Sequence, residues 1–121
     1  MKHEFQIDPE NHLLSEKFVG ELTLKELDEA NSKILNHKDF CEGLKCLSDL
    51  REAIVPWGFE SMLSHVQALP DLKFSRQAFI VGEMVEFGMV RMFIALCENR
   101  QNQTKSNIFP SVEKGMEWLI S

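Results

Sequence analysis

Leu44-Lys45-Cys46-Leu47-Ser48-Asp49-Leu50-Arg51 is the stretch that decides the fold of this 121-residue chain. It reads as a short strand closing in a polar pair at a turn. Helical patterns flank it on both sides, so it belongs in the interior of a sheet. In an open α/β sheet, ligands and partners are met beyond the carboxyl ends of the strands, which makes Asp49 to Gly58 the first place to look for function. That reading supplies a location and leaves the activity open.

Upstream, Phe5 and Ile7 alternate with Glu4, Gln6 and Asp8, the period-2 signal of a strand with one wet face. Asp8-Pro9-Glu10-Asn11 is turn chemistry. The alternation resumes over His12 to Val19, with Leu14 and Phe18 on one side and Ser15 and Lys17 on the other, and Gly20 ends it. The two runs predict an antiparallel hairpin. Thr23-Leu24-Lys25-Glu26 fits a capping box, in which the threonine oxygen takes a first-turn donor and the glutamate reaches back to the cap. Leu24, Leu27, Ala30, Ile34 and Leu35 give the following helix its buried face. Asn36 to Asp39 reads as a loop, with Phe40 anchoring it and Gly43 admitting the central strand.

Downstream, Glu52-Ala53-Ile54-Val55-Pro56-Trp57-Gly58 is unusually apolar for a connection. Such a loop either marks a contact surface or folds back over a sheet edge. Phe59, Met62, Leu63, Val66 and Leu69 repeat at helical spacing up to Pro70, and Gln77 to Val81 is a continuous run like those of strands buried on both faces. Two strands separated by one helix favour a right-handed parallel crossover. After Gly82 comes the most apolar helix, with Val85, Met89, Met92, Phe93 and Leu96 as its core stripe and Val90, Ile94 and Cys97 on a second side. What the core leaves exposed is either covered by the terminal helix or offered to a second copy of the chain, a contact that adaptable methionines suit. Asn107-Ile108-Phe109 reads as the last strand. Ser111 caps a terminal helix in which Met116, Trp118, Leu119 and Ile120 dock on the sheet. The order is β-β-α-β-α-β-α-β-α: one α/β domain over residues 1–121, with a single mixed sheet of about five strands and four helices.

Composition narrows the function classes. The chain is 44% hydrophobic and 26% charged, enough for one real core. A net charge of -6 and the lack of a basic stripe argue against nucleic acid as a partner. Glu86, Arg91 and Glu98 interrupt the longest apolar run of the second half, which predicts no transmembrane segment. Met1-Lys2-His3-Glu4 leads into a strand rather than a signal stretch, so a cytoplasmic location is expected. Cys41, Cys46 and Cys97 have no framework spacing and no companion ligand pair, which predicts reduced thiols and no metal. Ser61, Ser64, His37, His65 and Asp49 supply hydrolase residue types, but no G-x-S-x-G presents a serine. Glu83 and Glu86 disfavour an anion at the start of the Gly82 helix, and no G-x-G-x-x-G or P-loop occurs. The residues assign no catalytic group and no cofactor.

The hairpin, the capped helix, the central strand closing in Ser48-Asp49-Leu50-Arg51, the helix Phe87-Gly88-Met89-Val90-Arg91-Met92-Phe93 and the closing Met116-Glu117-Trp118-Leu119 together resemble the SpoIIAA-like proteins. These are small bacterial relatives of the STAS domain of anti-sigma-factor antagonists. The resemblance runs from Phe5 to Leu119 and implies a SpoIIAA-like (STAS-like) fold. STAS antagonists carry an Asp-Ser-Ser-Gly-like turn whose serine is phosphorylated to release a partner. The matching region here, Val55-Pro56-Trp57-Gly58-Phe59-Glu60-Ser61, departs from it, so no phosphosite is carried over.

Two functional expectations follow. The first is a non-catalytic regulatory module that meets an unknown protein partner, or itself as a homodimer, through Asp49, Arg51, Trp57, Phe59, Phe87 and Arg91. The second is a protein that binds a small molecule or lipid, or an enzyme, with a pocket near Asp49, Arg51, Glu83 and Arg91. The absence of a paired acid/base set favours the first.

Overall fold

Five strands, β1 (Lys2–Asp8), β2 (Leu13–Glu21), β3 (Lys45–Ile54), β4 (Arg76–Ile80) and β5 (Lys105–Phe109), lie side by side in chain order as one mixed sheet. The computed structural model describes residues 1–66, 69–82, 84–98 and 104–121, and all side chains in those ranges except at positions 59, 65, 84–86 and 98. β1 and β2 are antiparallel, and every later pair is parallel. The hairpin turn is held by Asp8, whose carboxylate accepts from the backbone of Glu10 and Asn11 and from the Asn11 amide. The parallel pairs are joined through α1 (Leu24–Leu35), α2 (Phe59–Val66) and α3 (Met84–Glu98), and α4 (Val112–Leu119) closes the chain. The architecture is the α/β sheet with four helices that the patterning predicts.

β3 is the central strand, and it runs on to Ile54 rather than stopping at Arg51. The reason lies in its neighbour. β2 continues to Glu21 and supplies backbone partners past a bulge between Lys17 and Val19, pairing Val19 with Glu52, Gly20 with Ala53 and Glu21 with Ile54. Asp49 is therefore a ladder residue and Arg51 lies within the strand at the bulge, not in a turn, which corrects the expectation of an exit loop beginning at Asp49.

Register divides the sheet residues between two faces. Leu14, Glu16 and Phe18 of β2 share one face with His3 and Phe5 of β1, Cys46, Ser48 and Leu50 of β3, and Gln77 and Phe79 of β4. Helices α1 and α3 cover this face. Thr23 caps α1 by accepting from the Glu26 backbone N–H, while its hydroxyl donates to the Glu26 carboxylate. Leu24, Leu27, Ala30 and Ile34 are buried as expected, whereas Leu35, a step further round the helix, is exposed. On α3 the inward residues are Val90, Phe93 and Ile94, packed with Phe79 and Leu50. Of the expected stripe Val85, Met89, Met92, Phe93 and Leu96, Phe93 packs on the core, Met89, Met92 and Leu96 are partly buried without joining it, and the Val85 side chain lies outside the described residues. A helix apolar around most of its circumference gives periodicity no single face to choose.

The opposite face carries Leu47, Ala78 and Ile80, against which α4 packs with Leu119. Gly115 permits the close approach: a β-carbon there would stand 2.7 Å from the Ile80 Cδ1 and 3.2 Å from the Leu47 Cδ1. α4 and α3 thus lie on opposite sides of the sheet, so the terminal helix does not cover α3. No described helix is long and apolar enough to cross a membrane.

Candidate functional site

A row of polar side chains crosses the helix-covered face of the sheet. Glu16 sits between Leu14 and Phe18 on β2, opposite Ser48 on β3, with Cys46 and Gln77 one step along their strands. Ser48 donates to the Glu16 Oε2 at 2.5 Å, and Gln77 Nε2 donates to the Ser48 Oγ at 3.0 Å. The Cys46 thiol stands 3.7 Å from the same carboxylate oxygen. From β1, His3 brings its Nε2 to 2.9 Å from the Glu16 Oε1. Its ring is stacked on those of Phe5 and Phe18. The row is inside the protein: Glu16 is 8% exposed, Ser48 1%, and the His3 side chain 1%. It separates the apolar cluster of Leu14, Ile34, Leu44 and Phe74 from that of Phe18, Leu27, Leu50 and Phe79.

Chemically the row has the carboxylate at its centre. His3 and Ser48 each bond to Glu16 and not to one another, so the imidazole is not placed to take the serine proton. Burial, and then the neighbouring Glu16 charge, push the Cys46 thiol well above its ordinary range, which keeps it protonated and a poor nucleophile. Among the described residues no group of three or more His, Cys, Asp and Glu is arranged to hold a metal ion.

Beside this row a cavity of about 90 Å³ opens between the sheet and helices α1 and α3. Its apolar wall includes Phe18, Leu50, Trp57, Phe79, Val90 and Phe93, and its polar lining includes Glu16, Ser48, Gln77 and, from α1, Asn31. A second concavity, of about 370 Å³, lies on the other face, over Glu4, Gln6, Ser15, Lys17 and Asp49. It is an open, charged stretch of sheet that α4 leaves uncovered, with Lys17 paired to Glu52 and Lys2 to Glu4. The smaller cavity is the better enclosed and the more apolar, and ligand sites have that character.

The residues singled out from sequence are not brought together. Asp49 and Arg51 lie on the α4 face, where Arg51 Nε and Nη2 grip the carboxylate at 3.0 and 2.8 Å and the Arg51 backbone N–H adds a third bond at 3.1 Å. Trp57 is half-buried on the other face, its Nε1 donating to the Leu22 carbonyl at 2.7 Å and its ring packed against Phe93. The apolar loop therefore folds back, and Trp57 is a wall of the cavity rather than an outward anchor. The Phe59 side chain and Glu83 lie outside the described residues. Phe87 is 40% exposed on α3, with the Arg91 guanidinium 5.2 Å from its ring centre. Ser61, in the region matching the STAS phosphoserine turn, is exposed on α2.

Burial alone would raise the Asp49 pKa, but the Arg51 hydrogen bonds and charge together outweigh it and hold the carboxyl below its ordinary value. A carboxylate depressed in the fold adds stability that is present above its unfolded value, about pH 3.9, and lost as pH falls through the folded one. Solvent reaches Arg51, so the pair is worth about 1 kcal/mol at neutral pH. Asp49→Asn should lose that margin at pH 7 and show a flatter acid limb. Unfolding measured from pH 7 down to pH 2 checks this: the two curves should converge at the acid end.

Sequence reading missed the polar row. Its signal was present in the spacing, because a strict period of two puts Glu16 on the same side as Leu14 and Phe18, a carboxylate on an apolar face.

No protein-family model matches the sequence, and neither does any curated protein. Among solved structures the chain is similar to the crystal structure of an uncharacterized DUF3478-family protein with a SpoIIAA-like fold from Shewanella loihica PV-4. The likeness covers 98% of this chain and 92% of that one, with a TM-score of 0.62. The fold is SpoIIAA-like. Sequence identity across the match is 17%, so the likeness speaks for the SpoIIAA-like architecture and carries no activity with it.

Proposed function

We propose that this SpoIIAA-like domain is a non-catalytic binding module that takes a small, largely apolar molecule into the cavity between the sheet and helices α1 and α3. The observation that carries the reading is the pairing of an enclosed apolar wall with a few convergent polar groups, Glu16, Ser48 and Gln77. A buried carboxylate bonded to serine and histidine is an expensive way to fill a core, since an apolar row of equal volume packs as well or better. Its cost is understandable where the polar groups orient something.

The experiment is a titration of labelled protein with small alcohols, amines and acids, followed by amide and indole shifts in nuclear magnetic resonance spectra. At least one class should move the Ser48 and Gln77 amides and the Trp57 indole together and saturably. Val90→Phe, which fills the cavity, should abolish the shifts in a folded protein. A panel that leaves all three resonances in place would remove the reading.

A second reading keeps a protein contact, with an unknown partner or a second copy of the chain. It is favoured by Phe87, a large apolar side chain left exposed on α3 with Arg91 across its ring. If the contact is between copies, light scattering should give a mass above 14.0 kDa that Phe87→Ser returns to the monomer value.

A further inference from the structure

The cavity's ligand can be specified further, on the premise that the cavity is a binding site. We infer that the molecule it takes is a small organic ammonium whose cation meets Glu16 while its short apolar body lies against the aromatic wall.

Charge comes first. Glu16 is the one carboxylate of the polar row, and the basic side chain bonded to it is His3. The His3 Nδ1 is buried with no hydrogen-bond partner among the described residues. The hydrogen bonding of His3 therefore runs through Nε2 to Glu16 alone. Ser48, Cys46 and Gln77 bring no positive charge to the row. The lysine of the cavity lining, Lys73, is exposed and directs its Nζ to Glu42 at 3.3 Å. Beyond His3, the Glu16 carboxylate has no basic side chain paired to it among the described residues.

Hydrogen-bond capacity points the same way. A carboxylate offers about four acceptor sites. His3, Ser48 and the more distant Cys46 account for three. A donor arriving from the cavity would complete the set. The same cavity is lined by the rings of Phe18, Trp57, Phe79 and Phe93, and aromatic rings favour a cation over an anion. Size sets the remaining limit: a cavity of about 90 Å³ is smaller than the roughly 150 Å³ that holds a benzene ring, so the enclosed part has about four non-hydrogen atoms.

Propylammonium, 1-propanol and propionate share a three-carbon body and differ in their head, so they are the probes. Each is titrated at pH 7.5 in about 150 mM salt, a concentration that screens loose attraction to the acidic surface. Saturable shifts at Ser48, Gln77 and the Trp57 indole give the affinities. Propylammonium should bind with a Kd on the order of 1 mM, at least about tenfold tighter than propanol, and propionate should leave the cavity resonances unmoved. In Glu16→Gln the ammonium preference should vanish while propanol binding stays. The comparison of heads in the parent protein needs no variant, so it stands even if that substitution impairs folding. Propanol binding as tightly as the amine would overturn the inference and leave the cavity reading intact. Shifts for none of the three would overturn the inference and count against the cavity itself. Ammonium shifts confined to exposed acidic residues would overturn it too.

Discussion

Glu16→Leu is expected to lower the stability of the domain by about 3 kcal/mol. The leucine removes an acceptor and leaves its donors behind. The His3 Nε2–H and the Ser48 hydroxyl both lose their partner in a site with almost no access to water. Each orphaned donor costs about 1 to 3 kcal/mol. Ser48 keeps its contact with Gln77, and the leucine contributes some apolar burial, which together hold the net cost near the lower end. For a domain of this size the midpoint of thermal unfolding should fall by about 10 °C or more. The companion experiment is the triple variant His3→Phe, Glu16→Leu, Ser48→Val, which replaces the carboxylate and both of its close donors by apolar side chains. Removing the carboxylate together with both of its close donors leaves only the part-buried Gln77 amide without its serine, so most of the lost stability should return. Recovery in the triple variant would mean that the polar row is tolerated by the fold rather than required by it. A triple variant as unstable as the single one would make the row structural.

Trp57→Ala should cost about 3 kcal/mol, read as a lower urea midpoint in equilibrium unfolding. Truncating a fully buried tryptophan costs about 3 to 5 kcal/mol, and half-burial puts this one at the low end. Two losses combine. The ring leaves its packing against Phe93, and the Leu22 carbonyl loses the indole donor. Trp57→Phe separates them, since it keeps most of the ring and should cost only about 1 kcal/mol for the hydrogen bond. The expectation of Trp57 as a partner contact implies the opposite outcome, weaker binding with the fold intact. The difference is a matter of where the Val55 to Gly58 loop lies. Its apolar composition is compatible with docking outward or folding back, and only the tie from Trp57 to Leu22, 35 residues earlier in the chain, decides between them.

Local signals carried the fold a long way. The alternation of Phe5 and Ile7 with polar residues, the Asp8 turn, the Thr23 cap and the Ser111 cap all act within a few residues, and all are present where the sequence puts them. What stayed hidden depends on neighbours far away in the chain. β3 reaches Ile54 because β2 is long enough to pair with it, a property of Leu13 to Glu21 and not of the stretch around Asp49. The inward face of α3 is set by Phe79 and Leu50 on the sheet, since the helix itself is apolar on several sides. The polar row shows both cases in one place. Glu16 was legible from its position between Leu14 and Phe18. Its meeting with His3, Ser48 and Gln77 was not, because it needs the register of four strands at once.

The proposed ligand site and the ammonium it would take both depend on open space being present between Phe18, Phe79 and Val90, beside the Glu16 row. A crystal of the protein held under xenon pressure tests that most directly, because xenon enters apolar cavities that lack bound partners of their own. The expected result is a single strong xenon peak in van der Waals contact with Phe79 and Val90, close to the Ser48 hydroxyl. Continuous side-chain density there, with Val90 packed directly on Phe18 and no xenon at any pressure the crystal withstands, would contradict it.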